Sequence, residues 1–121
     1  MGSLHSHKLL DHFRNPRNAG ELPLPAVTVQ VENPACGDIL RLSALVKDGR
    51  IAAAAFKVRG CTASIAAGSA LTTLMTGRPA AELTLITAEA LEAELGGLPH
   101  SSKHAAGLCL QALHALAKAL E

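Results

Sequence analysis

Ile39-Leu40-Arg41-Leu42-Ser43-Ala44-Leu45-Val46-Lys47-Asp48-Gly49-Arg50-Ile51-Ala52-Ala53-Ala54-Ala55-Phe56-Lys57-Val58-Arg59 is the stretch that decides the fold. Two alternating runs, Asp38–Lys47 and Arg50–Arg59, flank Asp48-Gly49, and Asp-Gly between such runs is the strongest short hairpin signal. Leu40, Leu42, Ala44 and Val46 make one apolar face, answered by Phe56 and Val58 on the return strand. A two-residue turn pairs Lys47 with Arg50, so the expected register joins residues whose numbers add to 97.

Carried to the open end of the hairpin, that register sets Cys36 opposite Cys61. Directly paired positions hold their Cβ atoms about 5 Å apart, close enough for two thiolates to share one metal. Asp38 stands two residues from Cys36, and in extended chain such residues point to the same side.

Upstream, Val27, Val29 and Val31 alternate with Thr28, Gln30 and Glu32, which predicts a third strand. Its apolar face needs a cover, and the remaining segments supply helices. Ser6–Arg14 spaces Leu9, Leu10 and Phe13 on one helical face and stops before Asn15-Pro16. A helix opens after Gly60-Cys61 and runs through Ile65, Leu71, Leu74 and Met75 to Gly77. A short one follows from Thr87 to Gly96-Gly97. The last, capped by Ser101 or Ser102, lays Leu108, Ala112, Ala115, Leu116 and Ala119 over the sheet. The predicted fold class is α+β, a three-stranded antiparallel sheet covered by helices, as one domain over residues 1–121 with a loose start over 1–5.

The chain has 11 basic and 10 acidic residues, a net charge of +1 and no basic cluster, which argues against a nucleic-acid partner. No apolar run is long enough to span a membrane and no signal-peptide core is evident. Three cysteines are too few, and odd in number, for a disulfide scaffold, so a reducing cytoplasmic setting is expected.

Cys61 precedes a helix N-terminus, where the dipole favours the thiolate, the form that binds metals or attacks sulfur. His104 falls in the first turn of the last helix and is a candidate fourth ligand beside Cys36, Asp38 and Cys61. Such a set mixes S, O and N donors and suits one zinc or ferrous ion held tetrahedrally. Cys109 lies in an apolar setting and reads as core, becoming a substitute ligand only if the last helix starts late. His12 reads as a surface or capping residue, His5 and His7 could bind metal together but read as solvated residues of an unanchored terminus, and His100 and His114 have no context that makes them ligands.

Three separated motifs carry a resemblance: Ser6–Gly20 with its Asp11-His12-Phe13-Arg14-Asn15-Pro16-Arg17-Asn18 core, then Asn33-Pro34-Ala35-Cys36-Gly37-Asp38, then Gly60-Cys61 opening a small-residue helix. In order and spacing the chain resembles the U-type iron–sulfur cluster scaffold proteins, the IscU and NifU N-terminal domain family, from about Ser6 to the last helix. The resemblance implies an antiparallel three-stranded sheet with helices and a labile [2Fe–2S] cluster, iron or zinc at Cys36, Asp38, Cys61 and His104. Asp38 would keep the cluster labile. A cysteine desulfurase would supply sulfur as persulfide, and recipient apoproteins would take the cluster.

Two departures stand out. The family places a third cysteine directly after the histidine, where this chain has Ala105. Leu98-Pro99-His100-Ser101-Ser102 lacks the proline-valine-lysine continuation read by the dedicated Hsp70-type chaperone, so chaperone-assisted release is not expected. The leading expectation is a non-catalytic assembly scaffold or sulfur acceptor. The alternatives are a zinc-binding structural or regulatory protein that has lost cluster assembly, and a thiol enzyme in which His104 activates Cys61.

Overall fold

The computed structural model describes residues 5–34 and 37–121. Expectations that fall on Met1–Leu4, Ala35 and Cys36 therefore lie outside the described residues.

The sheet forms as the alternation requires. Strands β1 (Val27–Glu32), β2 (Ile39–Lys47) and β3 (Arg50–Arg59) are antiparallel in the order β1-β2-β3. Asp48 and Gly49 take φ of 54° and 77°, the left-handed pair that a tight hairpin turn needs. Lys47 pairs with Arg50 and Val46 with Ile51, as the turn dictates. The next pair is Leu45 with Ala53, which leaves Ala52 as the extra residue of a bulge, and from there to Ile39–Arg59 paired numbers add to 98.

The bulge has a physical reason. A one-residue shift exchanges the two faces of a strand, and the 97 register would set Leu40 and Leu42 against Lys57 and Ala55. After the bulge Leu40 faces Val58, Leu42 faces Phe56 and Ala44 faces Ala54, so the apolar residues share the covered side. The expected 97 register is thereby corrected over the ladder, while the opposition of Cys36 to Cys61 that rested on it falls on a residue outside the described ones. Continued past the ladder, the observed register aligns position 60 with Asp38 and position 61 with Gly37.

Helix α1 (His7–Arg14) begins at Ser6, whose hydroxyl accepts from the Leu9 amide, and it buries Leu9 completely. Helix α2 (Thr62–Met75) packs on β3, with α1 and α4 (His104–Ala119) against its other sides. Its alanines, serines and Gly68 are buried, and this small-residue surface lets neighbours approach closely. A Cβ on Gly68 would stand 2.4 Å from the Phe56 ring. Helix α4 covers β1 and β2 and buries Leu108, Ala112 and Leu116 together with Ala105, Ala106, Cys109 and Leu113, while Ala119 stays at the surface.

Between them, Ala80–Leu85 forms a 3₁₀ segment, and Thr87 caps the short helix α3 (Ala88–Glu94) by accepting from the Ala90 amide. A second 3₁₀ turn, His100–Ser102, runs through Lys103 in helical geometry straight into α4. The expected Ser101 or Ser102 side-chain cap is therefore absent. Instead Lys103 Nζ reaches Glu92 Oε1 at 2.5 Å and ties this corner to α3. Among the described residues no helix is long and apolar enough to cross a membrane.

Candidate metal centre

Three helix and strand starts converge at one end of the sheet. Asp38 immediately precedes β2, Cys61 is the N-cap residue of α2, and His104 is the first residue of α4. A carboxylate oxygen, the Cys61 thiol and one His104 ring nitrogen lie within 4.8 Å of one another. Their exposure is graded: Asp38 is buried, the His104 side chain is 34% exposed, and Cys61 is exposed.

The shared atom is Asp38 Oδ2. It lies 3.7 Å from Cys61 Sγ and 3.8 Å from His104 Nε2, and Sγ and Nε2 are themselves 3.7 Å apart. Cys61 makes no side-chain capping bond with its own helix, which leaves Sγ turned toward the other two groups. Gly60 makes room for the carboxylate, because a Cβ there would sit 2.6 Å from Asp38 Cγ. Sulfur, oxygen and nitrogen donors at this separation suit a zinc or ferrous ion, whose bonds of about 2.0–2.3 Å draw ligand atoms to this spacing.

Ser64 is the site residue that sequence reading passed over. Its side chain is buried, and its hydroxyl donates to Asp38 Oδ2 at 2.5 Å while standing 3.3 Å from Cys61 Sγ. A signal existed, since positions three apart on a helix share a face and Ser64 is three beyond Cys61. Nothing local disclosed that the face meets Asp38, which is 26 residues away in the chain.

The other expected residues separate from this trio. Cys36 lies outside the described residues. Cys109 is 1% exposed within the core, and burial pushes its thiol up to about 12. Because α4 already starts at His104, the condition for Cys109 to act as a substitute ligand is not met, and it is a core residue. Ala105 is fully buried. His12, expected in a surface or capping role, is buried: Nδ1 lies 2.7 Å from Ser69 Oγ on α2 and Nε2 3.1 Å from Glu94 Oε2 on α3.

Comparison with known proteins places the chain in a family. The family model of the NifU-like N terminal domain matches residues 4–121. The iron-sulfur cluster assembly scaffold protein IscU 1 of Archaeoglobus fulgidus is 39% identical over 110 residues, spanning 91% of this chain and 72% of that protein. The IscU scaffold protein of Aquifex aeolicus is 38% identical over 120 residues, spanning 98% of this chain and 76% of its own. The crystal structure of an N-terminal NifU-like protein from Brucella abortus superposes with a TM-score of 0.62 over 93% of this chain and 80% of that one; at 21% identity it shows the fold alone.

Proposed function

Because this chain belongs to the NifU-like N-terminal domain family, we propose that it works as a non-catalytic scaffold on which a labile iron–sulfur cluster is assembled and from which it is passed on. The observation that carries this reading is the convergence of Asp38, Cys61 and His104, from three different elements, on one partly open spot. Iron and sulfide are cargo here. Cys36, Asp38, Cys61 and His104 are the proposed ligands, and a [2Fe–2S] cluster with oxygen and imidazole among its ligands is held less firmly than one on four thiolates. Such lability suits transfer to recipient apoproteins.

Sulfur enters at Cys61, the exposed thiol among the described residues, or at Cys36. The thiolate attacks the outer sulfur of a persulfide carried by a cysteine desulfurase; the new S–S bond forms as the donor's breaks, and the donor cysteine leaves as thiolate. Exchange at sulfur needs no outside oxidant.

The test is anaerobic reconstitution with ferrous iron, cysteine, a cysteine desulfurase and excess thiol reductant, which supplies the electrons that turn persulfide sulfur into sulfide, followed by iron and acid-labile sulfide per chain. With neither Trp nor Tyr in the chain, cluster absorption stands out cleanly. Matched iron and sulfide in the native protein, lost in Cys61→Ser, is the expected result. Ala105, buried where the resemblance places a third cysteine, favours a second reading in which the site retains only zinc. Zinc bound without any sulfide would select that reading and set cluster assembly aside.

A further inference from the structure

We infer that Ser64 is a positioning residue of the metal centre: its hydroxyl sets the orientation of the Asp38 carboxylate and its distance from Cys61, and so determines how firmly the centre holds a divalent metal. The inference rests on the reading that Asp38, Cys61 and His104 hold metal cargo. It goes beyond that reading because Ser64 belongs to none of the ligand positions.

The geometry points one way. Asp38 Oδ2 is the oxygen that faces both the thiol and the imidazole, and it is the same oxygen that Ser64 binds at 2.5 Å. An ionised carboxylate only accepts, so the single hydroxyl hydrogen of Ser64 is committed to Oδ2. The oxygen lone pairs of Ser64 then face Cys61 Sγ, 3.3 Å away. A carboxylate oxygen carries two lone pairs, and with one engaged by Ser64 the other remains for a metal. Ser64 itself sits in the first turn of α2, three residues after Cys61, so one helix end fixes thiol and hydroxyl together.

Burial makes the arrangement matter. The Ser64 residue is 1% exposed and Asp38 6%, so water does not freely replace the hydroxyl if it is removed. Gly60 leaves the carboxylate room, since a Cβ there would collide with it. Asp38 is thus steered by two features, an opening at Gly60 and a donor at Ser64, and only the donor selects which oxygen faces the thiol. Groups that orient a metal ligand in this way typically change affinity by about 10–100-fold when removed.

The test is anaerobic titration of the whole chain with cobalt(II), which reports thiolate ligation by a charge-transfer band and coordination geometry by its visible ligand-field bands. Ser64→Ala should bind cobalt about tenfold or more weakly than the native protein and shift the ligand-field bands, while Ser64→Thr, which retains the hydroxyl, should restore both. In an Asp38→Ala background, Ser64→Ala should have no further effect, because the hydroxyl acts through the carboxylate. Melting of the metal-free variants shows that each is folded at the titration temperature. Equal affinity and identical bands with and without the hydroxyl would overturn the role of Ser64 alone. A weakening by Ser64→Ala that persists undiminished in the Asp38→Ala background would also overturn it. A native chain that binds no cobalt would overturn the metal-holding reading, and the role of Ser64 with it.

Discussion

Cys61 and Cys109 show how position decides what one residue type does. Cys61 stands exposed at the N-cap position of a helix and faces a carboxylate and an imidazole, whereas Cys109 is enclosed by apolar side chains, and desolvation of its charged form pushes the thiol from 9.0 to about 12. The apolar neighbours of Cys109 in sequence were enough to mark it as core. Its raised value has a stability consequence. In the unfolded chain Cys109 ionises near pH 9, while in the folded chain it keeps its proton to about 12. Between those values the unfolded state binds fewer protons, so stability should fall as pH rises, with full stability below pH 9. The slope approaches about 1.4 kcal/mol per pH unit from this group. Urea denaturation at pH 8, 9, 10 and 11 should show this decline in the native protein and a shallower one in Cys109→Ala; parallel profiles would remove the claim.

At the scale of elements, the hairpin was the most legible part of the chain and also concealed the largest surprise. Asp48-Gly49 dictates a two-residue turn, and the apolar residues at 40, 42, 56 and 58 dictate which faces meet; the two requirements differ by one residue. Ala52 absorbs the difference as a bulge. Both requirements are written in the sequence, but a bulge has no strong residue signature in a run of four alanines. The helices were legible in order and extent, save the two 3₁₀ segments and the way α4 starts without a serine cap. His12 and Ser64 were not legible in role, because their partners arrive from 57 and 82 residues away in one case and 26 in the other. Local pattern does not encode those meetings. The contact between α2 and β3 yields its own prediction. Alanine is a better helix former than glycine by about 1 kcal/mol, yet a Cβ at Gly68 collides with the buried Phe56 ring. Overpacking of that kind typically costs about 1–3 kcal/mol. Gly68→Ala should therefore destabilise the protein in chemical denaturation, and adding Phe56→Leu should weaken the penalty by making room for the methyl group. An additive double variant would show that the ring is not what Gly68 accommodates.

For the molecule as a whole, the centre matters because the proposed ligands Asp38, Cys61 and His104 sit at the starts of β2, α2 and α4, elements that meet only in the folded chain. An ion held there binds the native state far better than the unfolded one, so metal binding and global stability are linked. The linkage gives a result independent of any chromophore. At a free zinc concentration 100 times the dissociation constant, the native state should gain about 2.7 kcal/mol, which for a domain of this size raises Tm by roughly 10 °C. The gain should vanish with a chelator and shrink sharply in Asp38→Ala and His104→Ala, whose metal-free melting temperatures supply the baseline. The three variants at the centre then form a graded series. Removing the Asp38 carboxylate or the His104 imidazole deletes a proposed ligand, whereas Ser64→Ala leaves all of them in place and should retain part of the zinc-induced rise. A rise of equal size in all of these proteins would mean that zinc stabilises the fold from somewhere other than the junction of β2, α2 and α4.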